Sequence, residues 1–160
     1  MRGLKANFEA LLDTERSLLL NHYTPYRLVN LAKRVSDACN QAYGAPNGVT
    51  VAQWRILARL GQHKEVSSRV LPSDTFMDKS RVSRALQQLE DKGLVIARVD
   101  EDDNRARKIA LTDEGGQLYQ QIVPQALEWE ANFLSTLSTT ELRDFLMTMS
   151  KLEAYLGEAE

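Results

Sequence analysis

A run of basic and polar side chains near the middle of the chain is the part of this sequence best suited to contact another molecule. Lys79, Arg81 and Arg84 bring three cations together without an intervening acid. In a helix they lie away from the apolar positions Val82 and Leu86. Arginine can donate two hydrogen bonds to guanine, glutamine can pair with adenine, and serine can bond phosphates or base edges. The residue types therefore predict DNA contacts from Lys79, Ser80, Arg81, Ser83, Arg84, Gln87 and Gln88.

Local signals predict a helix for this segment and a β-hairpin directly after it. Asp78 is a type of residue that caps helix N-termini, and Gly93 stands where a left-handed residue commonly ends a helix. Strand-like runs follow at 94–99 and 108–111, with a polar, turn-forming segment between them. A basic helix alone is equally typical of a solvated surface. A basic helix followed by a charged hairpin favours a winged helix-turn-helix, in which the helix enters the major groove of DNA.

Charged residues at the predicted hairpin tip support the same interpretation. Asp103 and Arg105, two residues apart, can face each other across the turn and brace it. Arg105 or Arg107 can then enter a minor groove, where narrow A·T-rich segments concentrate negative potential. The alternative is an ordinary solvated turn with a weak surface ion pair. The acids at 100–103 would repel DNA, so the interpretation requires some of them to point away or to pair with arginines.

Apolar periodicity and capping motifs predict helices over most of the remaining chain. Residues 25–43 carry an apolar stripe at helical spacing. Thr50 and Gln53 form a capping box that starts a second helix. The segment 67–76 suggests a short helix, although Pro72 would remove a hydrogen bond if it lay past the first turn.

Two further helices complete the predicted fold. Thr112 opens a long helix toward residue 134, and Ser138 with Glu141 forms a second capping box that starts the last amphipathic helix. The first fifteen residues have apolar positions at helical spacing and predict a short arm. The expected fold is mainly α with a small β-hairpin wing.

These segments resemble the MarR family of winged helix-turn-helix transcriptional regulators. Pro72 departs from the family's pattern, which has a small helix former there, and Asp74 stands where the family usually has an apolar residue. The two departures concern the geometry of the helix before the reading helix. The resemblance covers roughly residues 25–156. Its strongest parts are 51–57 (second helix), 77–95 (recognition helix and first strand) and 102–115 (wing with its Asp-x-Arg pair, and the start of the next helix).

The resemblance implies a homodimer that binds double-stranded DNA. It implies a single MarR-like domain over 1–160, in which 1–44 and 113–160 form a helical dimerisation region and 50–112 form the winged helix-turn-helix. A dimer of this type binds a pseudo-palindromic operator with half-sites about one helical turn, ~34 Å, apart. The expected protein is a repressor rather than an activator.

The resemblance also implies a small-molecule effector, often aromatic or anionic, that releases the DNA. Family members usually bind it with residues of the first, second and fifth helices. The candidates here are His22, Tyr26, Trp54 and Arg55. Each has a simpler interpretation, since Trp54 can pack as the hydrophobic staple of its helix and Tyr26 can belong to the core.

Other functions leave weaker signals. Cys39 raises an oxidant-sensing alternative, but it lies on an apolar stripe, and the chain has no second cysteine to resolve a sulfenic acid. A winged helix can also be a protein-interaction module, which would carry apolar or mixed side chains on the reading face. The sequence has no phosphate-binding glycine loop, no His-Glu-x-x-His motif and no nucleophile with a base, so no enzyme is predicted.

Composition sets the outer limits of these interpretations. The 160 residues suit one globular domain, and the formal net charge of −2 alone gives no sign of a nucleic-acid partner. Residues 67–112 nevertheless hold nine cations and eight acids, against 11 cations and 14 acids in the remainder. The sequence shows no membrane span and no signal peptide. We expect a cytoplasmic protein that needs no metal or cofactor and does not bind a membrane.

Overall fold

The computed structural model describes residues 18–99 and 107–157. A 3₁₀ turn at Leu20–His22 precedes the first helix, which continues as a wider turn over Asn40–Gly44 and a 3₁₀ turn over Ala45–Asn47. In chain order, the helices and strands of the described residues are α1 (Thr24–Cys39), α2 (Val51–Gly61), β1 (Val66–Ser67), α3 (Leu71–Thr75), α4 (Lys79–Asp91), β2 (Val95–Val99), β3 (Arg107–Leu111), α5 (Asp113–Leu134) and α6 (Thr139–Gly157).

The chain divides into two compact units, Met1–Asp37 and Ala38–Glu160. Most of α1 belongs to the first unit, and all elements from α2 onward belong to the second. The predicted N-terminal arm and the hairpin-tip residues 100–106 lie outside the described residues. Among the described helices, none is long and apolar enough to cross a membrane.

Three antiparallel strands form the sheet of the second unit, in the order β1-β3-β2. β2 and β3 form the predicted hairpin, in which Val95 lies opposite Leu111. β1 pairs with the other edge of β3, where Val66 lies opposite Ile109. The sequence patterns do not predict β1, because two residues are too few to show the alternation typical of a strand.

The core of the second unit lies where α2, α4 and the sheet meet. α2 contributes Ile56, Leu57 and Leu60, and α4 contributes Val82 and Leu89. Burying a side chain of this size stabilises the fold by about 1.5–3 kcal/mol, so these apolar faces fix the position of both helices. The other buried apolar residues are Tyr43, Val49, Ala52, Val66, Leu71, Met77, Ala85, Leu86, Val95, Ile109 and Ile122.

Capping interactions confirm the predicted N-termini of α2 and α4 and the predicted C-terminus of α4. Thr50 Oγ1 accepts the N–H of Gln53 at 3.3 Å, and Gln53 Oε1 accepts the N–H of Thr50 at 3.0 Å. Asp78 Oδ1 accepts the N–H of Arg81 at 2.8 Å. Gly93 follows α4 with a φ of 69°, in the left-handed region that favours glycine. Both helices therefore begin, and α4 also ends, at residues chosen by local chemistry.

The position of Pro72 explains how α3 forms despite it. Pro72 is the second residue of the helix, where a backbone N–H has no partner within the helix, so no hydrogen bond is lost. Asp74, the other departure from the family pattern, accepts a hydrogen bond from Arg59 Nε at 2.6 Å and connects α3 to α2. α3 ends at Phe76, which has a φ of 50° and a side chain that is 91% exposed.

The start of α5 is held against the junction of α4 and β2. Thr112 Oγ1 accepts the N–H of Gly115 at 3.0 Å and donates to the carbonyl of Gly93 at 2.7 Å. A Cβ at Gly115 would lie 1.9 Å from the carbonyl oxygen of Leu94, so only glycine permits this approach. These contacts hold the hairpin at a defined place beside α4.

Candidate nucleic-acid interface

The exposed face of α4 is the candidate interface. Val82, Ala85, Leu86 and Leu89 are buried in the core and fix the rotation of this helix. The polar face therefore points to solvent, as the sequence predicts. The predicted contact residues exposed on this face are Lys79, Ser80, Arg81, Ser83, Arg84, Gln87 and Gln88.

Arg81 and Arg84 supply positive charge that the described part of the chain does not neutralise. Within residues 18–99 and 107–157, neither guanidinium forms an ion pair with a carboxylate. Arg84 Nε donates only to the carbonyl of Ser80, at 3.4 Å. A guanidinium in this state keeps the paired donors that match guanine O6 and N7, or two phosphate oxygens.

Gln87 and Arg107 already have partners within the protein. Gln87 Nε2 donates to Asp91 Oδ1 at 2.9 Å, and Arg107 Nη2 donates to Glu90 Oε1 at 2.6 Å. The Arg107 side chain keeps 53% of its surface exposed. DNA contacts from these two residues remain predictions, and each would form alongside or in place of an internal bond.

A groove of about 540 Å³ lies between α4 and β3. Arg69, Lys79 and Arg107 line it together with Ser83. Arg69 was not among the predicted contacts, because only the pairing of β1 with β3 brings the turn after β1 beside α4. It adds a cation to the same side of the molecule.

Basic side chains lie near the end of β2 and the start of β3, the two strands of the hairpin stem. Arg98 lies opposite Lys108 across the pair of strands β2 and β3. Asp103 and Arg105 lie outside the described residues, so the proposed brace between them and the minor-groove contact of Arg105 stay predictions. In the second unit, β2 of this stem packs beside α4.

The residues predicted for an effector pocket belong to different units of the chain. His22 and Tyr26 are in the first unit, and Trp54 and Arg55 are in the second. Each pair is therefore described by itself, and their joint role stays a prediction.

Trp54 and Arg55 line an open cleft of about 730 Å³ between α2 and the end of α3. Trp54 stacks on Tyr119 with ring centroids 6.0 Å apart, and it meets Tyr43 edge-on at 5.8 Å. Arg55 Nη1 donates to the carbonyl of Thr75 at 3.3 Å. The tryptophan thus has a structural role in addition to any ligand contact.

Cys39 is half-buried and packs against the core of the second unit. Burial raises the pKa of the neighbouring Tyr43 phenol, and the contact with Cys39 raises it further. This surrounding is typical of a cysteine that acts as a small apolar side chain. Among the described residues, no group of three or more His, Cys, Asp or Glu side chains is arranged to hold a metal ion.

Comparison with known proteins finds a family model and a curated relative that are similar to this chain. A model of the MarR family matches residues 47–106, which contain α2, α3, α4 and β2. YdgJ, an uncharacterized HTH-type transcriptional regulator from Bacillus subtilis (strain 168), is 25% identical over 126 residues, or 79% of this chain and 77% of YdgJ. Over these residues the chain resembles the MarR family. The matching family and this relative are transcriptional regulators and not enzymes.

Two solved structures share the fold of this chain. The PcaV transcriptional regulator of Streptomyces coelicolor, in complex with its natural ligand, is 19% identical, and the match covers 87% of this chain and 97% of PcaV with a TM-score of 0.76. A mutant MarR from E. coli in complex with operator DNA is 22% identical, and that match covers 85% and 99% with a TM-score of 0.75. The predicted winged helix-turn-helix is therefore confirmed.

Proposed function

We propose that this protein is a homodimeric repressor of the MarR type in the cytoplasm, released from pseudo-palindromic operator DNA by a small aromatic or anionic ligand. The observation that carries the proposal is the exposed basic and polar face of α4, fixed by four side chains buried in the core. α4 enters the major groove, with Arg81 and Arg84 directed to base edges and the two serines Ser80 and Ser83 to bases or phosphates. Arg105 contacts the minor groove from the tip of the wing.

The net charge of −2 does not oppose this proposal. DNA affinity depends on the cations that reach phosphates, not on the sum over the whole chain. Lys79, Arg81 and Arg84 form a compact basic face, while Arg107 is partly neutralised by Glu90. We expect weak binding to non-specific DNA and a modest dependence of affinity on salt, since few phosphates are neutralised.

The exposed apolar surface of α6 supports the proposal that two copies of the chain form a dimer. The helix has 19 residues, and none of them is buried. Leu146, Leu152 and Tyr155 expose 51%, 47% and 73% of their surface. Monomeric proteins rarely expose contiguous apolar patches larger than a few hundred Å². In the proposed organisation, 1–44 and 113–160 form the dimerisation region and 50–112 the DNA-binding region.

Fluorescence anisotropy with DNA from upstream of the protein's own gene tests the DNA-binding proposal. The parent protein should prefer this DNA over a scrambled duplex of equal length by roughly 10³-fold or more. The double variant Arg81→Ala, Arg84→Ala should lose this preference because the base-directed donors are gone.

A matched control variant removes an arginine that lies outside α4. Arg143 lies on α6, is largely exposed and pairs with its neighbour Asp144 at 2.9 Å, so Arg143→Ala, once sedimentation has shown the same mass as for the parent, should bind DNA like the parent. If the double variant on α4 also binds like the parent, α4 is not the reading helix.

An aromatic carboxylate is the ligand chemistry that fits the predicted pocket residues. Trp54 offers a ring face, and Arg55 offers a cation that uses one of its five donors on the carbonyl of Thr75. This argument depends on the second unit alone, and the roles of His22 and Tyr26 stay predictions from the sequence. The structure of PcaV with its natural ligand supports the proposal that this fold accommodates an effector.

A charge-matched pair of probes tests the ligand class. Benzoate and its hydroxylated forms should raise the unfolding temperature and release DNA, whereas the uncharged benzamide should do neither. Arg55→Ala should still bind DNA but no longer respond to the acids. Release of DNA by benzamide and benzoate alike would contradict an anion site, and an unchanged response in Arg55→Ala would remove Arg55 from it.

A further inference from the structure

Gln53 is a buried polar residue whose side-chain amide has a defined orientation. It lies on α2 and is 2% exposed. Its Oε1 accepts the backbone N–H of Thr50 at 3.0 Å and a proton of Lys92 Nζ at 3.2 Å. A backbone N–H and an ammonium group can only donate, so the atom facing them must be the amide oxygen. The position of the Gln53 nitrogen follows from this.

The nitrogen of Gln53 then fixes the amide of Gln88 on α4. Gln53 Nε2 donates to Gln88 Oε1 at 2.8 Å. The opposite orientation of Gln88 would place two N–H donors against each other and leave the buried donor of Gln53 unsatisfied, which costs about 1–3 kcal/mol. Gln88 therefore keeps its oxygen toward α2.

Lys92 strengthens the arrangement from the end of α4. Its Nζ donates to the carbonyl of Gly48 at 2.7 Å as well as to Gln53 Oε1. One ammonium group thus connects the segment before α2 to the buried amide and to the C-terminal end of the reading helix. All hydrogen bonds of this network are donated in the same direction: Lys92 and Thr50 donate to Gln53, and Gln53 donates to Gln88.

We infer that Gln53 is a positioning residue that makes Gln88 a donor toward DNA. Gln88 lies on the exposed face of α4 and bonds Gln53 through its Oε1, and within the described residues its Nε2 has no partner. The group that it meets on DNA must then be an acceptor, either a phosphate oxygen or the acceptor edge of a base. This inference depends on the proposal that α4 binds DNA.

The substitution Gln53→Glu reverses the direction of the network while keeping its shape. A glutamate still accepts from Thr50 and Lys92, but it cannot donate, so Gln88 must rotate its amide to donate Nε2 inward. Its oxygen then faces the DNA acceptor. We expect a loss of affinity of roughly tenfold, in the range of a lost hydrogen bond to a charged or polar acceptor.

A double-mutant cycle separates this effect from the added charge. Gln53→Glu is measured alone and in a Gln88→Ala background, by anisotropy on the same operator DNA, after thermal unfolding has shown each protein to be folded. The loss should be large in the parent background and small in Gln88→Ala. Binding-site selection shows the source of the acceptor: a base acceptor changes the preferred base at one position, and a phosphate lowers affinity for all sequences alike.

Arg84→Ala serves as the reference for DNA binding by α4. If Arg84→Ala weakens binding but Gln53→Glu has the same effect in both backgrounds, or none, the role of Gln53 is refuted and the proposed function stands. If neither the parent nor any variant prefers operator DNA, the proposed function and the role of Gln53 fall together.

Discussion

The helices α4 and α6 expose opposite kinds of surface. α4 has 13 residues and places four apolar side chains in the core of its own unit. α6 is longer, with 19 residues, and buries none. The side chains that α4 exposes are serine, arginine, lysine, glutamine and, at its last position, Asp91. α6 exposes Leu146, Met149, Leu152 and other large apolar residues.

This difference indicates which kind of partner the exposed surface of each helix can bind. The apolar requirement of α4 is already satisfied, so its exposed face is available for a charged, hydrogen-bonding partner such as DNA. The apolar requirement of α6 is unsatisfied, and only an apolar partner removes that surface from water. The same chain therefore offers two surfaces of contrasting chemistry, and in the proposed function the polar one binds DNA and the apolar one binds a second copy.

The largest expected effect comes from placing charges on the apolar surface of α6. Leu146→Glu combined with Leu152→Glu should convert the dimer to monomer in sedimentation equilibrium, because two buried carboxylates would lose their hydration. Affinity for a two-half-site operator should fall on the order of 100-fold, as one winged domain cannot bind both half-sites. Lys151→Glu adds the same charge at a polar position of the helix and should remain dimeric. A double variant that stays dimeric would assign the interface elsewhere.

Removing one arginine from α4 should change DNA binding without changing the dimer. Arg84→Ala should weaken operator binding by about 1–3 kcal/mol and relax the preference for one base pair, if the guanidinium contacts that base. Sedimentation should show the same mass as for the parent. A uniform loss over all sequences would instead assign Arg84 to a phosphate, and a change in mass would break the separation between the two helices.

The turn between α3 and α4 holds a strained residue whose replacement should stabilise the protein. Phe76 has a φ of 50°, which costs a non-glycine residue about 1–2 kcal/mol, and its side chain is 91% exposed. Asparagine tolerates this conformation better. Phe76→Asn should therefore raise the free energy of unfolding by about 1 kcal/mol in urea titrations. A decrease would show that the exposed ring has a stabilising contact in the assembled protein.

The capping boxes of α2 and α6 should differ in their dependence on pH. In α6, Ser138 Oγ accepts the N–H of Glu141 at 3.4 Å, and Glu141 Oε2 accepts the N–H of Ser138 at 2.9 Å. The hydrogen bond from the Ser138 backbone lowers the pKa of Glu141 below its ordinary value of 4.5, followed by the one from its hydroxyl. The stability that this box contributes is therefore present above pH 4.5 and is lost as the pH falls through the lowered pKa.

Two matched variants measure this difference. Thr50→Ala should cost about 1 kcal/mol at every pH, because Gln53 does not titrate. The cost of Ser138→Ala should shrink as the pH is lowered below 4.5. Equal pH dependence for the two variants in urea titrations would show that Glu141 does not carry the effect.

Short-range chemistry explains why so many element boundaries could be predicted. The cap of α2 needs only Thr50 and Gln53, three residues apart, and the start of α4 needs only Asp78. The polar face of α4 follows from a spacing of apolar residues that any helix would show. These features depend on neighbours within one or two helical turns, and the sequence contains all of them.

Features that depend on distant parts of the chain escaped prediction. β1 exists because Val66 lies opposite Ile109, a pairing that joins residues far apart in sequence. Arg69 reaches the side of α4 only through that pairing. The hydrogen bond from Gln87 to Asp91, four residues along the helix, is instead a local feature that the predicted polar face did not include, and the DNA contact of Gln87 stays a prediction.

The amino-acid sequence by itself determined the order of the elements, the residues that cap them and the polar face of α4, because each depends on local spacing and residue type. Only the tertiary structure decided the third strand, the pairing of Arg107 with Glu90 and the chain of hydrogen bonds from Lys92 through Gln53 to Gln88. The physical reason is that a hydrogen bond between distant residues requires both backbones to be fixed first, and burial in the core of α2, α4 and the sheet is what fixes them.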